Sequence, residues 1–106
     1  MIVVPASMGT IARIAQGVSR TLIERAADVM LKERRRLVVV ARETPYSLIH
    51  LRNMVALTEA GGIVVPASPS FYFCPTTIEE AALSVTLRAV EQHGIAVDHP
   101  SWGEKE

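Results

Sequence analysis

The fold of this chain is decided by one short stretch of sequence, Leu37-Val38-Val39-Val40-Ala41. All of its residues are apolar and its valines are β-branched, which is the pattern of a strand buried on both faces of a parallel sheet. Two other runs have the same character, and they are Ile2-Val3-Val4 and Gly62-Ile63-Val64-Val65. We therefore predict three buried parallel strands.

Two segments of helical character lie between the first two strands. The first runs from Met8 to about Gln16 and ends at Gly17, a residue type that commonly stops helices. The second covers about residues 21–34 and repeats apolar residues at helical spacing.

Two more helices are expected in the rest of the chain. One should begin after Thr44, with Pro45 in its first turn, and stop at residues 61–62. The last carries a capping-box signature at residues 76–79 and continues towards Gly94.

This alternation of strands and helices predicts an α/β fold with a parallel sheet and right-handed crossovers. We expect one domain at residues 1–95 and a polar tail at 96–106. Because the chain begins directly in a buried-type strand, and three strands leave an edge exposed, we expect the sheet to be truncated on its amino-terminal side.

Composition narrows the range of functions. The chain has 106 residues, of which 11 are basic and 11 acidic, and this balance predicts no general attraction for nucleic acid or an anionic membrane. A single cysteine excludes an internal disulfide and fits a reducing compartment. The sequence shows no membrane span and no secretory signal, so we expect a cytoplasmic protein. His50, His93 and His99 lack the spacing of a metal site, so no metal is expected.

Ligands of open parallel sheets collect beyond the carboxyl ends of the strands, and the first such end holds Ser7 and Thr10. These residues flank the start of a helix, whose free N–H groups suit a phosphate. Gly9 between them would let a ligand or backbone approach closely. The alternative is that Ser7 only caps the helix.

After the second strand, Arg42 and Glu43 place a cation beside a carboxylate. Arg42 suits a phosphate or a flavin carbonyl, and Glu43 suits proton transfer. The alternative is a surface ion pair without a catalytic role.

After the third strand, Tyr72 lies between Phe71 and Phe73 and can donate a hydrogen bond to a phosphate. In the alternative, these three rings close the core. Arg88 falls within an apolar helical stripe, where its side chain either reaches to solvent or is held by a buried anion.

Four motifs, taken together, resemble those of the flavin prenyltransferase family in order and spacing. They are V-P-A-S-M-G-T-I-A at 4–12, R-A-A-D-V-M-L-K-E-R-R at 25–35, R-E-T-P at 42–45 and L-R-N-M at 51–54. Three departures are visible. Ala6 replaces the usual cysteine, residues 73–74 replace a commoner Thr-Arg pair, and the family's amino-terminal half has no counterpart in this chain.

The resemblance implies a Rossmann-like, flavodoxin-like sheet in three αβα layers and a large homo-oligomer with FMN between its subunits. Members of the family join the dimethylallyl group of dimethylallyl phosphate to N5 and C6 of reduced FMN without a metal. The product, prenylated FMN, serves a partner decarboxylase of the ubiquinone-biosynthesis or phenolic-acid type.

The resemblance also implies roles for individual residues. FMN binding falls to Ser7, Met8, Gly9, Thr10 and Arg42. Binding of the prenyl phosphate falls to Tyr72, Arg88, Lys32 and Arg25. Catalysis falls to Glu43, which would relay protons, together with Tyr72 and Arg88.

Two alternatives stay open. Pro5-Ala6-Ser7 is also similar to the phosphopantothenoylcysteine-decarboxylase-like flavoproteins, although their Pro-x-Met-Asn motif is replaced here by Pro66-Ala67-Ser68-Pro69. The other alternative is a non-catalytic FMN- or phosphate-binding module, since half of the family's site has no counterpart in this chain.

Overall fold

Three parallel strands form the sheet of the computed structural model, which describes residues 1–97. Strand β1 spans Ile2–Ala6, β2 spans Val38–Ala41 and β3 spans Ile63–Pro66, in the order β1-β2-β3. Most of the tail predicted at 96–106 lies outside the described residues.

Strand β2 is the centre of the molecule, because every one of its side chains is at most 1% exposed. Successive side chains of a strand point to opposite faces, so β2 contributes to two separate cores. Val39 and Ala41 pack on one face, and Val38 and Val40 pack on the other. The predicted burial on both faces is therefore correct for β2.

The same prediction is correct only in part for the two outer strands. Val4 in β1 is 53% exposed, whereas in β3 Val65 is buried and Ile63 and Val64 are half-buried. β1 pairs only with β2, so its other edge has no strand partner within residues 1–97. Being at an edge, each outer strand is covered on fewer sides than β2.

Within the described residues, four helices cover the sheet and place it between two helical layers. They are α1 Met8–Gln16, α2 Leu22–Lys32, α3 Leu48–Glu59 and α4 Ile78–Gln92. Residues of the first three pack with Val39 in one core, whereas Ala89 and Val85 of α4 pack with Val38 and Val40 in the other. The predicted three-layer α/β fold is confirmed.

Helix α1 has the bounds that the sequence predicts. The Ser7 hydroxyl accepts a hydrogen bond from the Thr10 N–H at 3.1 Å and so caps its first turn. Gly17 closes the helix with φ of 74°, a left-handed conformation that glycine adopts without a Cβ clash.

Helices α3 and α4 begin later than predicted. Pro45 lies outside α3, which Ser47 caps by accepting from the His50 N–H at 3.1 Å. α4 is capped by Thr77, which accepts from the Glu80 N–H at 3.0 Å, so the capping box predicted at 76–79 lies one residue too early.

Candidate functional site

The carboxyl ends of the three strands lie side by side. Ala41 at the end of β2 is in register with Ala6 of β1 and with Pro66 of β3. The three loops that follow therefore leave the same edge of the sheet, which we call the carboxyl edge. It gathers the candidate residues of loops 7–10, 42–43 and 68–73.

The first of these loops, residues 7–10, is held in place by hydrogen bonds and by packing against the core. Besides capping α1, the Ser7 hydroxyl donates to the Thr10 hydroxyl at 3.1 Å. Met8 is half-buried and packs against the core, which fixes the loop to the domain. The capping role weighed for Ser7 is correct, and Ser7 is also exposed towards any ligand at this edge.

The space beside the Gly9 Cα is occupied by a neighbouring side chain that the sequence analysis did not identify. A Cβ at Gly9 would lie 3.3 Å from an Nη atom of Arg13, one helical turn further on. Side chains of a helix lean towards its amino terminus, so the Arg13 guanidinium covers Gly9. The group that approaches Gly9 closely is therefore the Arg13 side chain of the same chain.

Arg13 is in turn held by a buried carboxylate. Its Nε donates to Glu24 at 2.9 Å, and Glu24 is only 2% exposed. The other carboxylate oxygen of Glu24 accepts from the Arg20 N–H at 2.9 Å. These bonds tie the start of α2 to the last turn of α1, whose Arg13 guanidinium lies against Gly9 of the first loop.

The charge of Glu24 is stabilised by the same contacts. The hydrogen bond from the Arg20 N–H lowers the pKa of Glu24 below its ordinary 4.5; burial opposes the shift, and the Arg13 side chain adds to it. Glu24 is therefore buried and ionised, and it holds Arg13 in place beside the first loop. A carboxylate and an arginine 11 residues apart carry no local sequence signal, which is why both were missed.

In the second loop, Arg42 and Glu43 do not pair with each other. Glu43 is half-buried and accepts a hydrogen bond from the Thr44 N–H at 3.2 Å. Arg42 is exposed and makes no ion pair or hydrogen bond within residues 1–97. The surface ion pair between Arg42 and Glu43, weighed as an alternative, is absent from that part of the chain, and the Arg42 guanidinium is open to a ligand.

The third loop presents its aromatic rings to the outside. Phe71 is 71% exposed and Tyr72 is 61% exposed, so the alternative in which these rings close the core is wrong for both. The Tyr72 ring stands edge-on to Phe73 with 5.0 Å between ring centres. The Ser70 N–H donates to the Ser84 hydroxyl at 3.0 Å, which anchors the loop to α4.

Arg88 lies on α4. Its side chain is 58% exposed and pairs with Glu91, so within one chain it reaches solvent. It lines a groove of about 900 Å³ between β3 and α4, whose other lining residues include Ser68, Ser70 and Phe73 of the third loop.

Two of the predicted phosphate ligands lie on α2. Lys32 is the last residue of α2, and its neighbours Leu31 and Arg34 line a recess together with Ile63, the first residue of β3. Within a single chain Lys32 therefore lies at the edge opposite Ser7 and Arg42. Arg25 is exposed and pairs with Asp28 at 2.9 Å. The phosphate-binding roles of both stay predictions.

Residues 1–97 contain no cluster of three or more side chains that could hold a metal ion. None of the helices in this part of the chain is long and apolar enough to cross a membrane.

Comparison with known proteins places the chain among flavin-binding relatives. A profile of the family described as Flavoprotein matches residues 1–92. The flavin prenyltransferase UbiX of Halalkalibacterium halodurans is 50% identical, in an alignment that covers 99% of this chain and 52% of the relative. The chain thus spans about half the length of the curated relatives it matches.

Two crystal structures show the same fold. AnUbiX (PadA1) in complex with FMN and dimethylallyl pyrophosphate has a TM-score of 0.88 and 47% identity, covering 96% of this chain and 56% of that one. A dodecameric FMN-dependent UbiX-like decarboxylase from Escherichia coli O157:H7 has a TM-score of 0.88 and 48% identity, covering 96% of this chain and 55% of that one. The fold described above is therefore part of a larger one in these proteins.

Proposed function

Because this chain belongs to the flavoprotein family, and because it is similar to flavin prenyltransferases over nearly all of its length, we propose that it takes part in prenylating FMN. The dimethylallyl group of dimethylallyl phosphate would pass to reduced FMN, and the prenylated FMN would serve a partner decarboxylase. The observation that carries the proposal is the meeting of three polar loops, 7–10, 42–43 and 68–73, at the carboxyl edge.

The side chains at this edge suit FMN. Ser7 and Thr10 begin α1, where unpaired N–H groups and the helix dipole favour an anion. The open guanidinium of Arg42 supplies planar donors for a phosphate or a flavin carbonyl. Met8 and Gly9 would contact the flavin as part of the same loop. Reduced FMN would contribute the electron-rich N5 and C6 atoms that form bonds to the prenyl group.

Departure of phosphate is the step that the cations would assist. Breaking the allylic C–O bond leaves negative charge on the phosphate, and fixed donors aimed at that charge lower the barrier. The Tyr72 hydroxyl stands exposed at the carboxyl edge and would donate to the phosphate. Arg88, Lys32 and Arg25 would supply positive charge.

Assembly would bring the distant cations to the site. Lys32 lies at the opposite edge of the same chain, and Arg88 points to solvent. We infer that copies of the chain associate, with FMN between them, so that one copy supplies cations to the site of another. The dodecameric relative from E. coli supports this inference.

Glu43 would relay protons. Ring closure would add a proton to the alkene of the N5-linked prenyl group, join its tertiary carbon to C6 and release the proton of C6, so a carboxylate that gives one proton and accepts the other balances the step. Glu43 is suited to this because it is half-buried at the carboxyl edge and its carboxylate is fixed by the Thr44 N–H.

Anaerobic mixing of the chain with reduced FMN and dimethylallyl phosphate tests the proposal. A new flavin species should appear in the UV–visible spectrum and give the mass of prenylated FMN. Tyr72→Phe and Glu43→Gln should each slow its formation by about 100-fold or more. Tyr46→Phe, the matched change at the other tyrosine, should have no effect. The diphosphate is to be tried in parallel, and no new species with either donor would refute the proposal.

A non-catalytic flavin-binding module is the second candidate. It is favoured by the fact that the chain spans only about half the length of the curated relatives it matches. In that case FMN fluorescence would be quenched on binding while the prenyl phosphate stayed intact.

A further inference from the structure

The side chain of Arg13 is anchored at one end by a carboxylate that is itself fixed. The Arg13 Nε donates to one oxygen of Glu24 at 2.9 Å, and the other oxygen already accepts from the Arg20 N–H. Glu24 is 2% exposed, and its own N–H donates to the Thr21 hydroxyl at 3.1 Å. The Nε end of the guanidinium is therefore held against the start of α2.

The other end of the guanidinium lies across Gly9. Outside the neighbouring residues and the backbone of α1, the three atoms nearest to the Cβ that alanine would add at Gly9 all belong to this guanidinium, at 3.3, 3.7 and 3.8 Å. Neither Nη nitrogen of Arg13 has a hydrogen-bond acceptor within residues 1–97. The contact is therefore one of packing, in which the shape of the guanidinium matters more than its charge.

Space, and not backbone conformation, explains the glycine at position 9. Left-handed φ values occur at Gly17, Gly61 and Gly94, whereas Gly9 lies in the first turn of α1 without one. Glycine in a helix costs up to about 1 kcal/mol relative to alanine. What the glycine provides here is room for the Arg13 guanidinium beside the first loop.

We propose that Arg13 is a positioning residue for FMN binding: anchored on Glu24, it packs on Gly9 and sets where the first loop meets the flavin. The proposal rests on the proposed function, because it takes FMN as the ligand of that loop. Gly9 stays exposed, so the loop can meet a ligand while the guanidinium supports it. The charge of Arg13 is already neutralised by Glu24, so Arg13 acts through the loop and not as a ligand of the phosphate.

The affinity for oxidised FMN, measured by quenching of flavin fluorescence, tests the proposal through a cycle of variants. Gly9→Ala should raise the Kd by about 10-fold in the wild-type chain, because the new Cβ would press on an anchored guanidinium.

The second background of the cycle combines Arg13→Ala with Glu24→Gln, so that no unpaired charge stays buried. This background should itself bind FMN about 10-fold more weakly than the wild type, because the first loop has lost its support. Adding Gly9→Ala to it should change the Kd by less than about 2-fold, since the Cβ then meets no guanidinium.

A comparison of stability with affinity separates positioning from a purely structural role. All variants are to be measured well below their Tm, with far-UV circular dichroism showing that each is folded. A purely structural role would lower the Tm and leave the Kd of the folded chain unchanged, which would overturn the proposal. Arg52→Ala, at an exposed arginine of α3, is the matched control and should keep the wild-type Kd.

Arg13→Lys tests whether shape or charge matters. Lysine keeps the positive charge and can pair with Glu24, but it has no planar group that could also lie across Gly9. Its Kd should therefore be as weak as that of the Arg13→Ala, Glu24→Gln background.

A wild-type Kd for Arg13→Lys, or an equal loss on Gly9→Ala in both backgrounds, would overturn the proposal. So would an absence of FMN binding by the wild-type chain. FMN that binds but is never prenylated would refute the proposed function alone and leave the result of the cycle standing.

Discussion

Glu24 shows how a charge is kept inside this small domain. It is 2% exposed, yet both of its carboxylate oxygens accept hydrogen bonds, one from Arg13 and one from the Arg20 N–H. A buried charge is tolerated when it is paired and hydrogen-bonded, whereas removing one partner leaves an unpaired group in the interior. Because Arg13 also covers Gly9, the pairing of Glu24 reaches the first loop of the candidate site.

Glu24→Gln should destabilise the chain in a pH-dependent manner. The folded state lowers the pKa of Glu24 below 4.5, so its stabilising effect is complete above pH 4.5 and is lost as the pH falls through the folded value. Thermal unfolding should therefore show a lower Tm for the variant at pH 7, and a smaller difference from wild type in more acidic buffer.

The matched control for this experiment is Glu33→Gln, at an exposed site just after α2. Its Tm should follow that of the wild type at every pH. A Glu24→Gln variant whose deficit in Tm stayed constant down to pH 3 would show that the carboxylate charge is not what stabilises the fold.

The local sequence predicts the boundaries of some helices and strands better than those of others. β-Branched runs located all three strands to within two residues at either end, because buried parallel strands are apolar on both sides. The start of α4 is one residue off because Thr76-Thr77 and Glu79-Glu80 offer the same capping pattern in two registers. Sequence alone does not decide between them.

The start of α3 was mispredicted for a different reason. Pro45 looked like a first-turn proline, but Ser47 is the capping residue, and the Ser47 N–H donates to the His50 ring at 3.1 Å. Histidine at that position completes the reciprocal bonds that glutamate or glutamine usually makes, so the familiar pattern was not visible.

Ser47→Ala should therefore destabilise the chain by about 1 kcal/mol, the usual cost of losing a side-chain cap. Urea denaturation should show a lower midpoint with an unchanged slope. Ser19→Ala, in the exposed link between α1 and α2, is the comparison and should unfold like wild type. Equal midpoints for the two variants would mean that Ser47 does not set the start of α3.

On the scale of the whole molecule, stability depends on two cores that share β2. Leu57 belongs to the larger one and is fully buried, with Gly62 packed so closely that a Cβ there would lie 3.0 Å from the leucine side chain. Leu57→Ala would leave a cavity that the backbone at Gly62 cannot fill.

We expect Leu57→Ala to lower the free energy of unfolding by about 2–5 kcal/mol, as in other buried leucine-to-alanine changes. Leu83→Ala, at a site that is 51% exposed on α4, should change it by only about 0.5 kcal/mol. Guanidinium denaturation followed by circular dichroism measures both. Similar losses for the two variants would contradict the described core.

The arrangement of the site was predictable in part. Parallel strands bring their carboxyl ends together, so the meeting of Ser7, Arg42 and the third loop followed from the strand pattern. The positions of Lys32 and Arg88 did not, because they depend on where each helix places its residues relative to the strands. A motif shared with relatives names such residues without showing where the fold places them.

The open edge of β1 carries a risk that Pro5 limits. An unpaired strand edge can recruit the same strand of other molecules and build cross-β aggregates. Pro5, inside β1, has no N–H to donate, and the regular register of β1 breaks between Val3 and Ala6. The strand therefore presents only a short regular stretch to another chain, while Val3 and Ala6 still pack in the core.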